Sequence, residues 1–247
     1  MKSNIAGRAA LAALCLAIAL PAGAETAQGG YEALFEKALQ SIEWNAHEEW
    51  AFTESASGSN GDLVGRFDPR LPEGERWTLL SIDGRNPTED ESRRYSERKR
   101  SDRHDGDHEE DGEDDGEIDG MVDPGSLELV EETADYWLLR FVPTDNDGDD
   151  EMGRKILERM DGKVKIIKDG HYLEFIDIRN TKPIRPKIGV KMKKFLTRVS
   201  FGPAVEGGPI VMKSMDVAIK LSAFLVVRVD ETESVRLSEF EFAGDTG

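Results

Sequence analysis

The chain has 247 residues, 50 acidic against 32 Lys plus Arg, a formal net charge of −18, 38% apolar residues and one Cys. That length suits one domain, or one domain with a tail. The acidic balance excludes a general DNA-binding protein, because phosphate neutralisation needs clustered Lys and Arg, and the single Cys excludes a disulfide framework or a Cys-rich zinc site.

The first 24 residues read as an address. Lys2 and Arg8 make a basic start, Ala9 to Leu20 is an unbroken apolar run, Pro21 breaks it, and Ala22, Gly23 and Ala24 place small residues before Glu25. This three-part pattern predicts a cleavable secretory signal peptide over residues 1–24. The apolar run is shorter than the roughly 20 residues a membrane span needs. Cys15 lies inside that run after Leu14, not at its end after a small residue, so no lipoprotein signal is read. The expected mature chain, residues 25–247, has no Cys and no later apolar segment long enough to span. A soluble periplasmic protein is expected, as a monomer.

Tyr31, Leu34, Phe35, Ala38, Leu39 and Ile42 fall on one face of an amphipathic helix over residues 31–42. A helix this short is marginal alone and must pack on something. The period then changes to short β-type runs: Trp50 to Thr53, Leu63 to Phe67, Trp77 to Ile82, Leu127 to Val130 and Tyr136 to Val142. Turn residues such as Asn60-Gly61, Asp68-Pro69 and Asp83-Gly84 separate them.

A long polar insertion, about residues 87–125, interrupts these runs. Its first half mixes Arg93, Arg94, Arg98, Lys99 and Arg100 with Glu89, Asp90, Glu91 and Glu97. Its second half, Asp102 to Gly120, holds eleven acids and one Arg, with Ile118 as its only aliphatic residue. Such a stretch buries too little apolar surface to offset the entropy of ordering, so a disordered charged insertion is expected at about residues 87–125. A second helix is predicted from about Asp149 to Met160, where Met152, Ile156 and Met160 recur at four and acids precede bases.

The last third reads as strand: Lys163 to Lys168, Tyr172 to Arg179, Val190 to Phe201, Ile210 to Leu221, Phe224 to Val229 and Ser234 to Phe242. Met215, Val217, Ile219 and Leu221 alternate with Asp216, Ala218, Lys220 and Ser222, the pattern of a strand with one wet face. In Val190 to Phe201 the apolar phase shifts by one residue, which predicts a β-bulge. From Ile178 to Val205 there are eight Lys or Arg and no acid. Lys187, Lys191, Lys193, Lys194 and Arg198 form a candidate basic contact face, complementary in charge to the acidic stretch. They meet anionic headgroups or an acidic protein partner on one reading; on the other they form a solvated strand face that blunts edge pairing.

The order of elements resembles the periplasmic outer-membrane lipoprotein-carrier (LolA-like) superfamily. An export signal precedes one helix, then hairpins around Asn60 to Pro69 and Trp77 to Gly84, then a polar loop, then long antiparallel strands ending in Phe240-Glu241-Phe242. Gly162 to Phe201, with Lys182-Pro183-Ile184-Arg185-Pro186 inside it, fits the superfamily's C-terminal half best. The resemblance is one of layout and carries over no functional residue; the acidic insertion departs from it. It implies a mainly β (α+β) fold, a strongly curved antiparallel sheet or open half-barrel covered by one or two helices, with an apolar space that binds acyl chains. The strand residues alone suit an ordinary core. With the resemblance, Leu34, Phe35, Phe67, Trp77, Leu79, Trp137, Leu139, Phe141, Met215, Val217, Ile219 and Leu221 become equally candidate linings of such a cavity.

Other constellations are weaker. His104 and His108, four apart among acids, sit with Gly106 in a sequence unsuited to a helix, so no transition-metal site is read. A calcium-loop pattern from Asp107 fails at Ile118, where a bidentate Glu is required, and the acidic run Asp145 to Glu151 has Asp150 where the loop needs Gly. No nucleophile elbow, His-Glu-x-x-His or phosphate loop is present, and His47 and His171 are lone histidines at element edges. The expectation is a non-enzymatic carrier of an acyl chain or lipoprotein with no cofactor. Its rival is an envelope interaction or sensor protein with a filled core.

Overall fold

A computed structural model of the chain describes residues 24–59, 61–104, 121–144, 156–186, 188–224 and 227–244. Helix α1 (Ala24–Leu39) and the single turn α2 (Ala46–Glu49) lead into strands β1 (Trp50–Gly58), β2 (Gly61–Phe67) and β3 (Trp77–Ile82). Helix α3 (Glu89–His104) follows, then β4 (Glu128–Glu132), β5 (Tyr136–Phe141), β6 (Met160–Ile167), β7 (Tyr172–Asn180), β8 (Val190–Pro203), β9 (Ile210–Ala223) and β10 (Val227–Phe242). All ten strands form one antiparallel sheet in the order β3-β2-β1-β10-β9-β8-β7-β6-β5-β4, which is not closed. Every neighbouring pair is consecutive in sequence except β1 and β10, as short connections between antiparallel strands favour.

The mainly β, antiparallel expectation holds, and the differences have local causes. The predicted helix 31–42 ends at Leu39, and Ile42 instead bridges Ile210 of β9. Asp230 to Thr232, which fall in the break between the predicted strands Phe224 to Val229 and Ser234 to Phe242, lie inside β10, because their backbone pairs residue by residue with Lys220 to Ala218 of β9. Ladder hydrogen bonds and cross-strand partners override a weak local preference. The predicted bulge is present: β8 shifts register against β9 between Met192 and Lys194, and again between Ser200 and Phe201. Of the second predicted helix, Ile156 and Leu157 are helical, Met160 opens β6, and residues 149–155 lie outside the described residues. The predicted signal, apart from Ala24, and the acidic residues 105–120 lie outside them too.

The polar insertion needs correction over its described parts. Residues 89–104 form α3, and Val122 and Leu127 are buried against α1. A reciprocal cap starts α3. The Thr88 backbone N–H donates to Glu91 Oε2 at 2.8 Å, and the Glu91 N–H donates to Thr88 Oγ1 at 3.3 Å. Arg85 adds a two-pronged ion pair to the Glu91 carboxylate at 2.9 and 2.6 Å. Tyr95, the only aromatic residue of α3, is buried against Trp77 with ring centroids 6.1 Å apart, and a Cβ at Gly65 of β2 would overlap its hydroxyl. Composition argued from the average of the segment; a cap and one aromatic anchor decide the fate of its first half.

The two faces of the sheet follow from register. One row runs through directly paired residues Leu129, Leu139, Val164, Ile176, Val199, Met215, Val235, Ala56, Leu63 and Ile82, apolar on all ten strands. The opposite face carries the row Glu128, Arg140, Lys163, Asp177, Arg198 and Asp216, followed by Ser234, Ser57 and Asp62. Opposite charges meet across strands there: Arg140 with Glu128 at 2.7 Å, and Arg198 3.9 Å from Asp177. Asp177 is only 1% exposed, and Arg179 Nε donates to it at 2.6 Å.

Candidate functional site

Both long helices lie on the apolar face. Glu54 and Ala56, two apart on β1, share that face, and Lys99 of α3 reaches Glu54 at 2.7 Å. Helix α1 sits at the other side of the sheet over β4 and β7. Phe35 and Ala38 pack there on Leu139, Val164, Ile176 and Val199, all buried. Helix α3 covers β3, and the rings of Phe52, Phe67, Trp77 and Tyr95 form a second apolar cluster beneath it. Two fillings therefore occupy one face, each closed by its own helix.

Between them, β9 from Met215 onward and the facing part of β10 form the floor of a groove. Met215, Val217, Ile219 and Leu221 share one side of β9, and Val235 stands opposite Met215. Met215 is 38% exposed, and Val217, Ile219, Leu221 and Val235 are half-buried. On the β8 side Phe195 pairs with Ile219 and Met192 with Leu221, both half-buried. Toward α3 the groove turns polar in a depression of about 250 Å³, where Glu54, Arg98, Lys99 and Glu233 surround Ala56 and Val235. Burial, with the Glu54 carboxylate second, pushes the Tyr95 phenol well above its ordinary range, so it stays a neutral hydroxyl. Lys213 lies over the Phe240 ring at 4.3 Å, and burial lowers its ammonium.

The twelve candidate lining residues thus fall into three groups. Leu34, Phe35, Trp137, Leu139 and Phe141 belong to the core that α1 closes. Phe67, Trp77 and Leu79 lie on the α3 side, with Phe67 and Leu79 buried. Met215, Val217, Ile219 and Leu221 line the open groove. The basic residues also separate. Lys191 and Lys193 border a depression at the end of β8, and Lys194 pairs in register with Lys220. Arg198 instead lies on the charged face, 4.0 Å over the Phe175 ring. Lys187 lies outside the described residues, as do His108 and residues 145–151. His171 sits in the β6–β7 turn at φ 50°, its ring 6.1 Å from that of Trp137.

Sequence reading missed Tyr95, Glu54, Phe195 and Val235. The Thr88…Glu91 spacing is a helix-start signal that leads to Tyr95. No local signal marks Glu54, whose partner Lys99 lies 45 residues away on α3. Among the described residues, no group of three or more His, Cys, Asp or Glu side chains is placed to hold a metal, and no helix is long and apolar enough to cross a membrane. The arrangement offers a long apolar floor with polar groups at one end, suited to shielding a hydrocarbon chain from water. In comparisons with known proteins, no family model, no curated protein and no solved structure matches the chain.

Proposed function

We propose that the chain is an exported, periplasmic, non-enzymatic binding protein that holds an acyl chain, free or on a lipoprotein, in the groove between α1 and α3. One observation carries this reading. The apolar row continues across all ten strands, but the helices close only its flanks and leave Met215 at its centre 38% exposed. A row built for a filled core ends where its cover ends. Here Met215 and the half-buried Val217, Ile219, Leu221 and Val235 remain open, and covering them with hydrocarbon yields about 25 cal/mol per Å² removed from water. The register shifts in β1, β2, β4, β7, β8 and β9 pairings favour bending of the sheet around such a chain, the curved half-barrel of the lipoprotein-carrier layout.

The test is chloroform–methanol extraction of the protein purified from its export compartment, with mass spectrometry of the extract, and titration with a fluorescent fatty acid. A co-purifying lipid and saturable binding are expected, with binding reduced about tenfold or more in Ile219→Asp, since a carboxylate in the floor must be desolvated. A lipid-free protein that also ignores the fatty acid rules the reading out.

The charge distribution favours a second reading, an envelope interaction protein without ligand. Acids concentrate in residues 102–120, while Lys191, Lys193 and Lys194 cluster on β8. Deleting residues 105–120 leaves α3 and its cap in place. On this reading the deletion abolishes capture of a partner without changing the melting temperature.

A further inference from the structure

At one end of the sheet, β8 begins, β9 ends and β10 begins, with Val190 paired to Ala223 and Ala223 to Val227. Two large apolar side chains project there. Ile188 is 96% exposed and Phe224 is 66% exposed. The Phe224 ring is held by its surroundings. Its backbone N–H donates to Gly189 O at 2.7 Å, and the ring lies so close to Gly189 that a Cβ there would meet ring carbons at 2.7 Å. Gly189 has φ +81°, and Phe224 itself has φ 48°, a conformation that a bulky residue adopts only under constraint. Beside these two side chains lies an open depression of about 640 Å³ lined by Arg185, Lys191, Lys193 and Arg228, with no acidic residue among its described lining.

In a chain of net charge −18, four cations around two protruding apolar groups stand out. Beyond a Debye length the acidic excess is screened by salt; at contact the local cations dominate. Ile188 and Phe224 protrude as separate apolar side chains among these cations. They suit a fluid surface into which each can sink separately, while flexible Lys and Arg stems reach phosphates around them.

We propose that this end of the sheet docks on the surface of an anionic phospholipid bilayer. Ile188 and Phe224 enter the boundary between headgroups and acyl chains, and Arg185, Lys191, Lys193 and Arg228 contact lipid phosphates. The inference is independent of the groove: a protein that carries no acyl chain but docks on bilayers leaves it standing, and the converse outcome removes it alone.

The test is co-sedimentation of the full chain with vesicles of phosphatidylcholine alone and of phosphatidylcholine mixed with phosphatidylglycerol. Binding to the mixed vesicles only, weakening with added salt, is expected. The double variants Ile188→Ser/Phe224→Ser and Lys191→Glu/Lys193→Glu should each lower the partition coefficient about tenfold at an unchanged melting temperature. A Phe224→Trp variant gives a second readout that needs no loss of binding, since the new indole emission should shift to the blue on the mixed vesicles. Equal binding to neutral vesicles overturns the proposal, as does indifference to the Lys191→Glu/Lys193→Glu change. Absence of vesicle binding overturns it too, whether or not an acidic protein binds the same face. Displacement of bound vesicles by excess glycerol phosphate also overturns it, by identifying a site for small soluble anions.

Discussion

Glu91 is the residue that gives α3 its beginning. Arg85 first, then the Thr88 backbone and hydroxyl, hold its carboxyl far below the ordinary carboxylate value of 4.5. A depressed folded value means that the unfolded chain takes up the proton first as the pH falls. The contribution of this carboxylate is therefore complete above about pH 4.5 and is lost progressively below it. In Glu91→Gln the amide still caps Thr88, but the charge that Arg85 answers is gone. Helicity and urea stability of the variant, followed from pH 6 to pH 3 by circular dichroism, should show a shallower acid decline than the parent. An unchanged slope would mean that Glu91 is ionised equally in both states. The sequence contained this signal as Thr88-x-x-Glu91, and the surrounding charge density obscured it.

At the scale of elements, α3 depends on very little apolar surface. Of its described side chains only Tyr95 is buried, set against Trp77 and over Gly65. Lys99 adds a contact 4.4 Å above the Trp77 ring and the ion pair to Glu54. Truncating a large buried aromatic residue to Ala costs about 3–5 kcal/mol, and the intrinsic propensity of a charged sixteen-residue helix does not compensate. Tyr95→Ala should therefore release α3 while the rest of the sheet stays folded. Limited trypsin digestion reads this directly: cleavage after Arg93, Arg94 or Arg98 should precede any loss of the sheet's circular-dichroism signal. Simultaneous loss of both would show that α3 and the sheet unfold as one unit. The β8 strand gives the opposite case, since its phase shift was legible from residue order alone and the register shift between Met192 and Lys194 matches it.

For the whole molecule, the central contrast is between two kinds of apolar position at one face of the sheet. Phe35 is fully buried by α1 packing. Met215 lies on the same face with neither α1 nor α3 over it and is 38% exposed. Phe35→Ala should lower unfolding stability by about 3–5 kcal/mol. Met215→Ala should cost only about 1 kcal/mol, because much of its side chain never leaves water. Urea unfolding of the two variants separates an open groove from a filled core. A loss at Met215 as large as that at Phe35 would show the groove to be covered in solution.

Residue order by itself determined the strand-rich class, most strand positions, the leading amphipathic helix, the β8 bulge and the alternation that gives β9 one apolar side. These are properties of local period and turn chemistry, readable within about ten residues. Only the tertiary structure decided which apolar residues are sealed and which stay open. Leu139 and Met215 read alike along the chain, yet one lies under α1 and the other in the gap between helices. The same holds for Lys191 and Arg198, one bordering a depression it shares with Arg185, Lys193 and Arg228 and the other laid over Phe175 beside Asp177. Burial is set by what a distant segment places on top of a side chain, and no local pattern contains that information.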